Sequence, residues 1–251
     1  MQNIKVKILL VLIAGTHETS KRYAEELKEV GFRAKGYGVL EIKPIIAEAS
    51  LKQLENINFD FLIFTSKNAV RLLLKSSSQS FKRKMMLSQI YAIGEETKKE
   101  LEQHGLNNIT APTKESSKGL LEELRKKSMK GKVVGVFHSL KVNRELINGL
   151  RDLGASVHSY PLYDIIVNEE ETISLLKTLY QNPLAAIIFL ARTAFHALIS
   201  IDAQITSILR SRLVIALGEN VSEALKRHGI PHYIPQKPRI SSIIALLKEL
   251  I

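Results

Sequence analysis

The chain is 251 residues long, 45% hydrophobic and 24% charged, with a mean hydropathy of +0.01 and a formal net charge of +11. It has no cysteine and no tryptophan, and only 6% of its residues are aromatic; disulfides, thiolate metal sites and thiol catalysis are therefore excluded, and a base-stacking platform for nucleic acid has little material. The seven histidines are scattered without an H-E-x-x-H pattern, so no metal is expected, and the positive balance points to a nucleic acid, an anionic membrane surface or a small polyanion.

Lys5 and Lys7 lead into the apolar run Ile8 to Ala14. That start has the look of a secretory signal, but the run falls short of the roughly 18 apolar residues of a membrane span and no A-x-A site follows. Lys132-Val133-Val134-Gly135-Val136-Phe137 has the same character in mid-chain. Both read as buried strands, and the protein as cytoplasmic with no membrane segment. Strands are predicted at 5–13, 34–40, 60–65, 89–93, 107–111, 132–137, 155–160, 185–190, 212–217 and 231–234. Helices are predicted at 19–30, 50–56, 67–77, 95–104, 117–127, 141–153, 169–181, 192–200, 219–228 and 240–250. Such alternation signals an α/β fold whose parallel sheets are covered on both faces. Gly31, Gly105, Gly154 and Gly229 each stand just past a predicted helix, as left-handed terminators. The densest basic runs, Lys82-Arg83-Lys84 and Arg125-Lys126-Lys127, read as solvated helix faces.

The pattern also repeats. Phe61-Leu62-Ile63-Phe64-Thr65-Ser66-Lys67-Asn68-Ala69 returns as Ala186-Ile187-Ile188-Phe189-Leu190-Ala191-Arg192-Thr193-Ala194, and Tyr91-Ala92-Ile93-Gly94-Glu95 returns as Ile215-Ala216-Leu217-Gly218-Glu219. A unit of about 124 residues, the step from Gly94 to Gly218, is far longer than a solenoid repeat and denotes a duplicated domain. Gly36 to Pro44 and Tyr160 to Val167 interrupt the pattern with Gly, Pro and Tyr and read as crossings between the two domains. A cleft between such domains is where a small ligand would bind.

Candidate chemistry gathers where strands give way to helices. Ligands of an open parallel sheet collect outside the strands' carboxyl ends, where a helix N-terminus offers free amides and partial positive charge to an anion. Thr65-Ser66 ends one strand and opens a helix; its hydroxyls can cap that helix or bind a carboxylate. Gly94-Glu95-Glu96-Thr97 repeats the arrangement, with Gly94 permitting close approach of backbone to ligand. Ser116-Ser117-Lys118-Gly119 supplies a third helix entrance and a cation. Three such entrances on one domain favour a polyanion. The chain has no G-x-G-x-x-G, P-loop or G-x-S-x-G pattern, so hydride transfer, nucleotide hydrolysis and serine hydrolysis lose their usual markers.

In order, Phe64-Thr65-Ser66-Lys67-Asn68-Ala69-Val70, Ile93-Gly94-Glu95-Glu96-Thr97, Ser117-Lys118-Gly119-Leu120, the stretch Arg144 to Gly154, Tyr163, and Ile215 to Gly229 resemble the uroporphyrinogen-III synthases over almost the whole chain. The resemblance implies two flavodoxin-like parallel-sheet domains joined by a two-stranded linker. One domain would be discontinuous, 1–35 with 168–251; the other would be 44–159, with linker strands 36–43 and 160–167. It further implies a monomeric lyase of heme biosynthesis, needing no cofactor, that cyclises hydroxymethylbilane with loss of water and inversion of the last pyrrole ring. Hydroxide leaves to give an electron-poor azafulvene, a substituted pyrrole carbon attacks it to form a spiro intermediate, and rearrangement precedes closure. Such an enzyme chiefly folds the bilane and prevents closure without inversion.

On this resemblance Tyr163 assists departure of the hydroxyl by proton donation; the alternative is a linker aromatic packed against a domain. Thr65, Ser66, Gly94, Thr97, Ser116, Ser117 and Lys118 would hold acetate and propionate arms. Arg144 matches a basic position of the family, or else is a surface helix arginine. The implied partners are the polycarboxylate substrate and, transiently, the preceding pathway enzyme, with no nucleic acid or membrane. Departures cluster late in the chain: Leu190-Ala191 replaces the second Thr-Ser pair and Val221 the second threonine, with Arg192 and Thr193 compensating in part near the lost hydroxyls; in mid-chain, His138-Ser139 stands where Arg-Gly is common. These leave open a catalytically weakened homologue that binds an anionic tetrapyrrole. A nucleic-acid binder rests on charge alone.

Overall fold

The computed structural model describes residues 10–141 and 144–250; the start of the strand predicted at 5–13 and part of the first turn of the helix predicted at 141–153 lie outside them. The chain divides into two compact units: a terminal unit made of residues up to Glu41 and from Ile166 onward, and a middle unit of Ile42–Ile165. The chain opens with β1 (Leu10–Thr16), α1 (His17–Glu29) and β2 (Arg33–Pro44). Next come α2 (Glu48–Asn56), β3 (Phe61–Phe64), α3 (Lys67–Ser76), α4 (Gln79–Leu87), β4 (Gln89–Ala92), α5 (Glu95–Gln103), β5 (Ile109–Thr110) and α6 (Ser117–Leu124). After them run β6 (Val133–Ser139), α7 (Arg144–Asp152) and β7 (Ser156–Val167). The terminal unit then resumes with α8 (Glu169–Gln181), β8 (Ala186–Phe189), α9 (Arg192–Ile201), α10 (Ile205–Leu209), β9 (Val214–Ala216), α11 (Glu219–Arg227) and α12 (Ile240–Leu250).

Strand order in the middle unit is β5-β4-β3-β6-β7 and in the terminal unit β2-β1-β8-β9, and within each unit neighbouring strands pair in parallel. The mixed α/β fold with parallel strands is the expected one. Central strands are apolar throughout because both faces are covered. In β3, Leu62 and Phe64 belong to a core cluster with Val70, Leu73, Phe81 and Leu101 of α3, α4 and α5, whereas Ile63 points to a second cluster with Leu120 and Leu124 of α6 and Leu146 and Leu150 of α7. In the terminal unit, Val11 and Ile13 pack with Tyr23 and Leu27 of α1 and Ile243 and Leu247 of α12.

The predicted crossings at 36–44 and 160–167 are continuations of β2 and β7 rather than separate segments. Within the middle unit the Ile45 amide donates to the Leu162 carbonyl, and within the terminal unit the Asn168 amide donates to that of Val39, each at 3.0 Å. Two helices, α4 and α10, have no counterpart in the sequence reading. The strand predicted at 231–234 is not formed: Tyr233 makes only an isolated bridge to Ile215, because Pro231 and Pro235 on either side lack the amide a ladder needs. The strand at 107–111 shrinks to Ile109–Thr110. Among the described residues no helix is long and apolar enough to cross a membrane.

Candidate active site

Register brings the carboxyl ends of the middle unit's strands to one edge. Phe64 lies opposite Ala92 of β4 and Phe137 of β6, so Thr65, Ile93 and His138 follow at the same level. On β6 and β7 the register runs Phe137 to Tyr160, then slips between His138 and Ser139 so that Ser139 faces Tyr163. The slip lets two consecutive residues, Leu162 and Tyr163, both lie inside, where strict alternation would expose one of them.

Tyr163 is the buried centre of this edge, 4% exposed. Its hydroxyl lies 2.8 Å from that of Ser66, and either oxygen can donate; Asn68 and Ser139 side chains also bond the phenol. Burial pushes its pKa above the ordinary 10.0, a rise that those three hydrogen bonds oppose, so the phenol keeps its proton through the neutral range. Ser66 is the N-cap of α3 and accepts the Ala69 amide at 3.2 Å. Capping and site geometry are thus joined in one hydroxyl. Thr65 is turned the other way: its hydroxyl donates to the Phe137 carbonyl at 3.2 Å and serves the sheet end.

At the α5 entrance the expected cradle is already occupied. The Glu115 carboxylate accepts the Glu95 amide at 3.2 Å, and a Cβ on Gly94 would meet its Oε2 at 2.8 Å. Glu95 and Glu96 place two more carboxylates in the first turn, and Thr97 is buried. Gly94 itself has extended backbone, φ −141°, that any residue adopts, so its use here is the missing side chain. Its repeat partner Gly218 differs, with φ +109°, a conformation that requires glycine. Glu115 has no motif to mark it; its position against α5 depends on the fold of residues 111–116.

The α3 and α6 entrances are better suited to an anion, since neither has an acidic residue in its first turn. Ser116 caps α6 by accepting the Gly119 amide at 3.0 Å, leaving Ser117 half-buried and Lys118 exposed beside it. Gly119 is needed because a Cβ there would lie 2.2 Å from the Lys114 carbonyl oxygen. Arg144 is the exposed first residue of α7, which follows β6 and so starts at the same end of the sheet, on the face that α6 covers. Arg192 opens α9 of the terminal unit, whose N-cap Ala191 offers no side-chain bond. The middle unit therefore gathers Ser66 and Tyr163 in contact, with the α5, α6 and α7 entrances following neighbouring strands, while Arg192 belongs to a different unit.

His138 does not replace the missing arginine. It is 2% exposed, and its Nδ1 and Nε2 lie 2.6 Å from the Ser139 carbonyl and the Ser159 hydroxyl. A carbonyl only accepts, so Nδ1 carries the proton and Nε2 accepts from Ser159. Burial lowers its pKa below 6.5, and the ring stays neutral and structural.

Parallel strands covered on both faces, with helix N-termini at their carboxyl ends, define a doubly wound α/β protein of the kind that takes small ligands at that edge. The sequence model of the uroporphyrinogen-III synthase HemD family matches residues 21–245. The chain belongs to that family, and with it to the cyclising lyases of tetrapyrrole biosynthesis. Solved structures agree in fold. A mutant uroporphyrinogen III synthase of the extremely thermophilic bacterium Thermus thermophilus is 19% identical, with a TM-score of 0.69 over 96% of this chain and 98% of that one. The uroporphyrinogen-III synthetase of Helicobacter pylori is 20% identical, with a TM-score of 0.67 over 97% and 99%. A search of curated protein sequences found no significant match.

Proposed function

We propose that the strand-end edge of the middle unit holds hydroxymethylbilane by its carboxylate arms and that the Tyr163–Ser66 pair delivers the proton that releases its hydroxyl. The observation that carries this reading is the 2.8 Å contact between those hydroxyls, placed where α3 opens. Tyr163 supplies a protonated phenol shielded from bulk water, and half-buried Ser66 is the outer member of the pair. Once the hydroxyl has left, the pyrroles' own electrons drive attack and rearrangement, so the protein's further task is orientation and exclusion of the competing closure. The amides of α3 and α6, with Ser116, Ser117, Lys118 and Arg144, would bind acetate and propionate groups. Arg192 would serve the α9 entrance of the terminal unit in the same way. The reading is of a cytoplasmic monomer that needs no cofactor and meets the preceding pathway enzyme only in passing.

In this reading Glu115 occupies a place a substrate carboxylate could take. Glu115→Gln removes its charge and weakens its hold on the Glu95 amide, while leaving Tyr163 and Ser66 untouched. The exposed setting limits the effect to about 0.2–1 kcal/mol, so KM for hydroxymethylbilane should fall by about 1.4- to fivefold with kcat unchanged. Steady-state kinetics of the variant checks this; a raised KM would mean that Glu115 positions the α5 entrance for substrate instead of competing for it.

A further inference from the structure

We propose that the middle unit has a second ligand site, for a small amphipathic anion, at the end of α3 remote from Ser66. A cavity of about 410 Å³ opens between α3, α4 and α5, within the size range of small-molecule pockets. Along α3 its lining runs from Arg71 to Lys75, five to nine residues and about 7.5–13.5 Å from Ser66 at the α-helical rise, and it takes in His104 at the C-terminal end of α5, so the cavity lies toward the C-terminal ends of these helices and not at the strand-end edge.

Its lining has two characters. Leu74, Met86 and Leu106 make an apolar wall, and Arg71, Lys75, Lys82 and His104 surround it with nitrogen. Arg71 already pairs with the buried Glu100 at 2.8 Å, and His104 lies 3.5 Å from the same carboxylate. Those contacts cancel one positive charge. Lys75 and Lys82 have no acidic partner among the described residues, so two cations remain uncompensated beside an apolar wall. Met86 adds an observation of its own: it is 58% exposed at the cavity although Phe81 and Met85 of the same helix are fully packed.

An occupant that fits both characters carries a carboxylate, sulfonate or phosphate for the lysines and a ring or short chain to cover Met86 and Leu106. Inorganic phosphate would leave the apolar wall wet, and a neutral hydrocarbon would leave the lysines without a counter-charge. The basic run Lys82-Arg83-Lys84 is therefore more than a solvated face: Lys82 lines this cavity, and Lys84 ties α4 to the carbonyl of Glu55 at 2.6 Å.

Four methionines in the chain make the test direct. Protein labelled with 13C at the methionine methyls is titrated with 1-naphthalenesulfonate, a ring bearing one anionic group, and methyl shifts are followed by NMR. The Met86 methyl should shift saturably with a Kd below about 1 mM, while Met129, packed on the other face of the sheet, stays in place. Lys75→Glu combined with Lys82→Glu should weaken binding by about tenfold or more, and uncharged 1-naphthalenemethanol should bind weaker than the sulfonate by a similar factor. The Met85 and Met129 methyls of the double variant report that its core is intact. A Met86 signal unmoved by millimolar sulfonate overturns the site; equal binding of the neutral compound, or of the sulfonate to the double variant, overturns its anion selectivity. The titration involves no turnover, so its failure leaves the reading of the strand-end edge standing.

Discussion

Tyr163→Phe should lower kcat by about a hundredfold, the lower end of what a positioned general acid contributes, with KM changed less than about twofold. The substitution keeps the ring that fills the space behind β3 and removes only the oxygen that meets Ser66. If Tyr163 served packing alone, turnover would be unaffected. Ser66, Asn68 and Ser139 would each lose a partner, at a cost to stability of about 1 kcal/mol. A pH signature separates this from general damage. In the parent the folded-state pKa of Tyr163 is raised above 10.0, so the stability it contributes is present below that value and is lost as pH rises through the folded pKa. Tyr163→Phe should therefore show a shallower loss of stability above the ordinary phenol pKa, measured by urea unfolding at a series of alkaline pH values. Unchanged kcat would remove Tyr163 from the proton-transfer step.

Phe137→Ala should cost about 3–5 kcal/mol, the largest stability effect of any single change considered. Phe137 is fully buried and stacks on Phe64 at a ring-centroid distance of 4.9 Å and on Tyr160 at 5.4 Å, so one ring links β3, β6 and β7 just beneath the strand-end edge. Truncation leaves a void between stiff strands that cannot collapse onto it. Against a typical total of about 5–15 kcal/mol this is a large fraction, visible as a lower urea midpoint with little change in slope. A cost under about 1.5 kcal/mol would show that the stack is not what holds these strands together.

Most strands were legible in the sequence because burial on both faces leaves uninterrupted apolar runs such as Phe61–Phe64 and Ala186–Phe189. Helix α4 was not: it buries only Phe81 and Met85, and serines 76–78 and 80 together with Lys82–Lys84 mask that single turn of spacing. The position of Ser66 at a strand end was also legible, since a hydroxyl between an apolar run and a helix has few other uses. Its partnership with Tyr163 was not, because it depends on the register slip between His138 and Ser139, a property of β6 and β7 pairing across the sheet. Glu115 was missed for a similar reason: it lies 20 residues from the amide it binds, and only the folded path of residues 111–116 brings the two together. His138 shows the converse, a histidine whose chemistry is set by burial and not by the residue type usual at its place.

The most direct test of the account is the isomer composition formed when the unmodified protein meets hydroxymethylbilane. Uroporphyrinogen III should accumulate faster than the bilane closes on its own to the type I isomer. Type I product alone, formed at the rate seen in buffer, would contradict it.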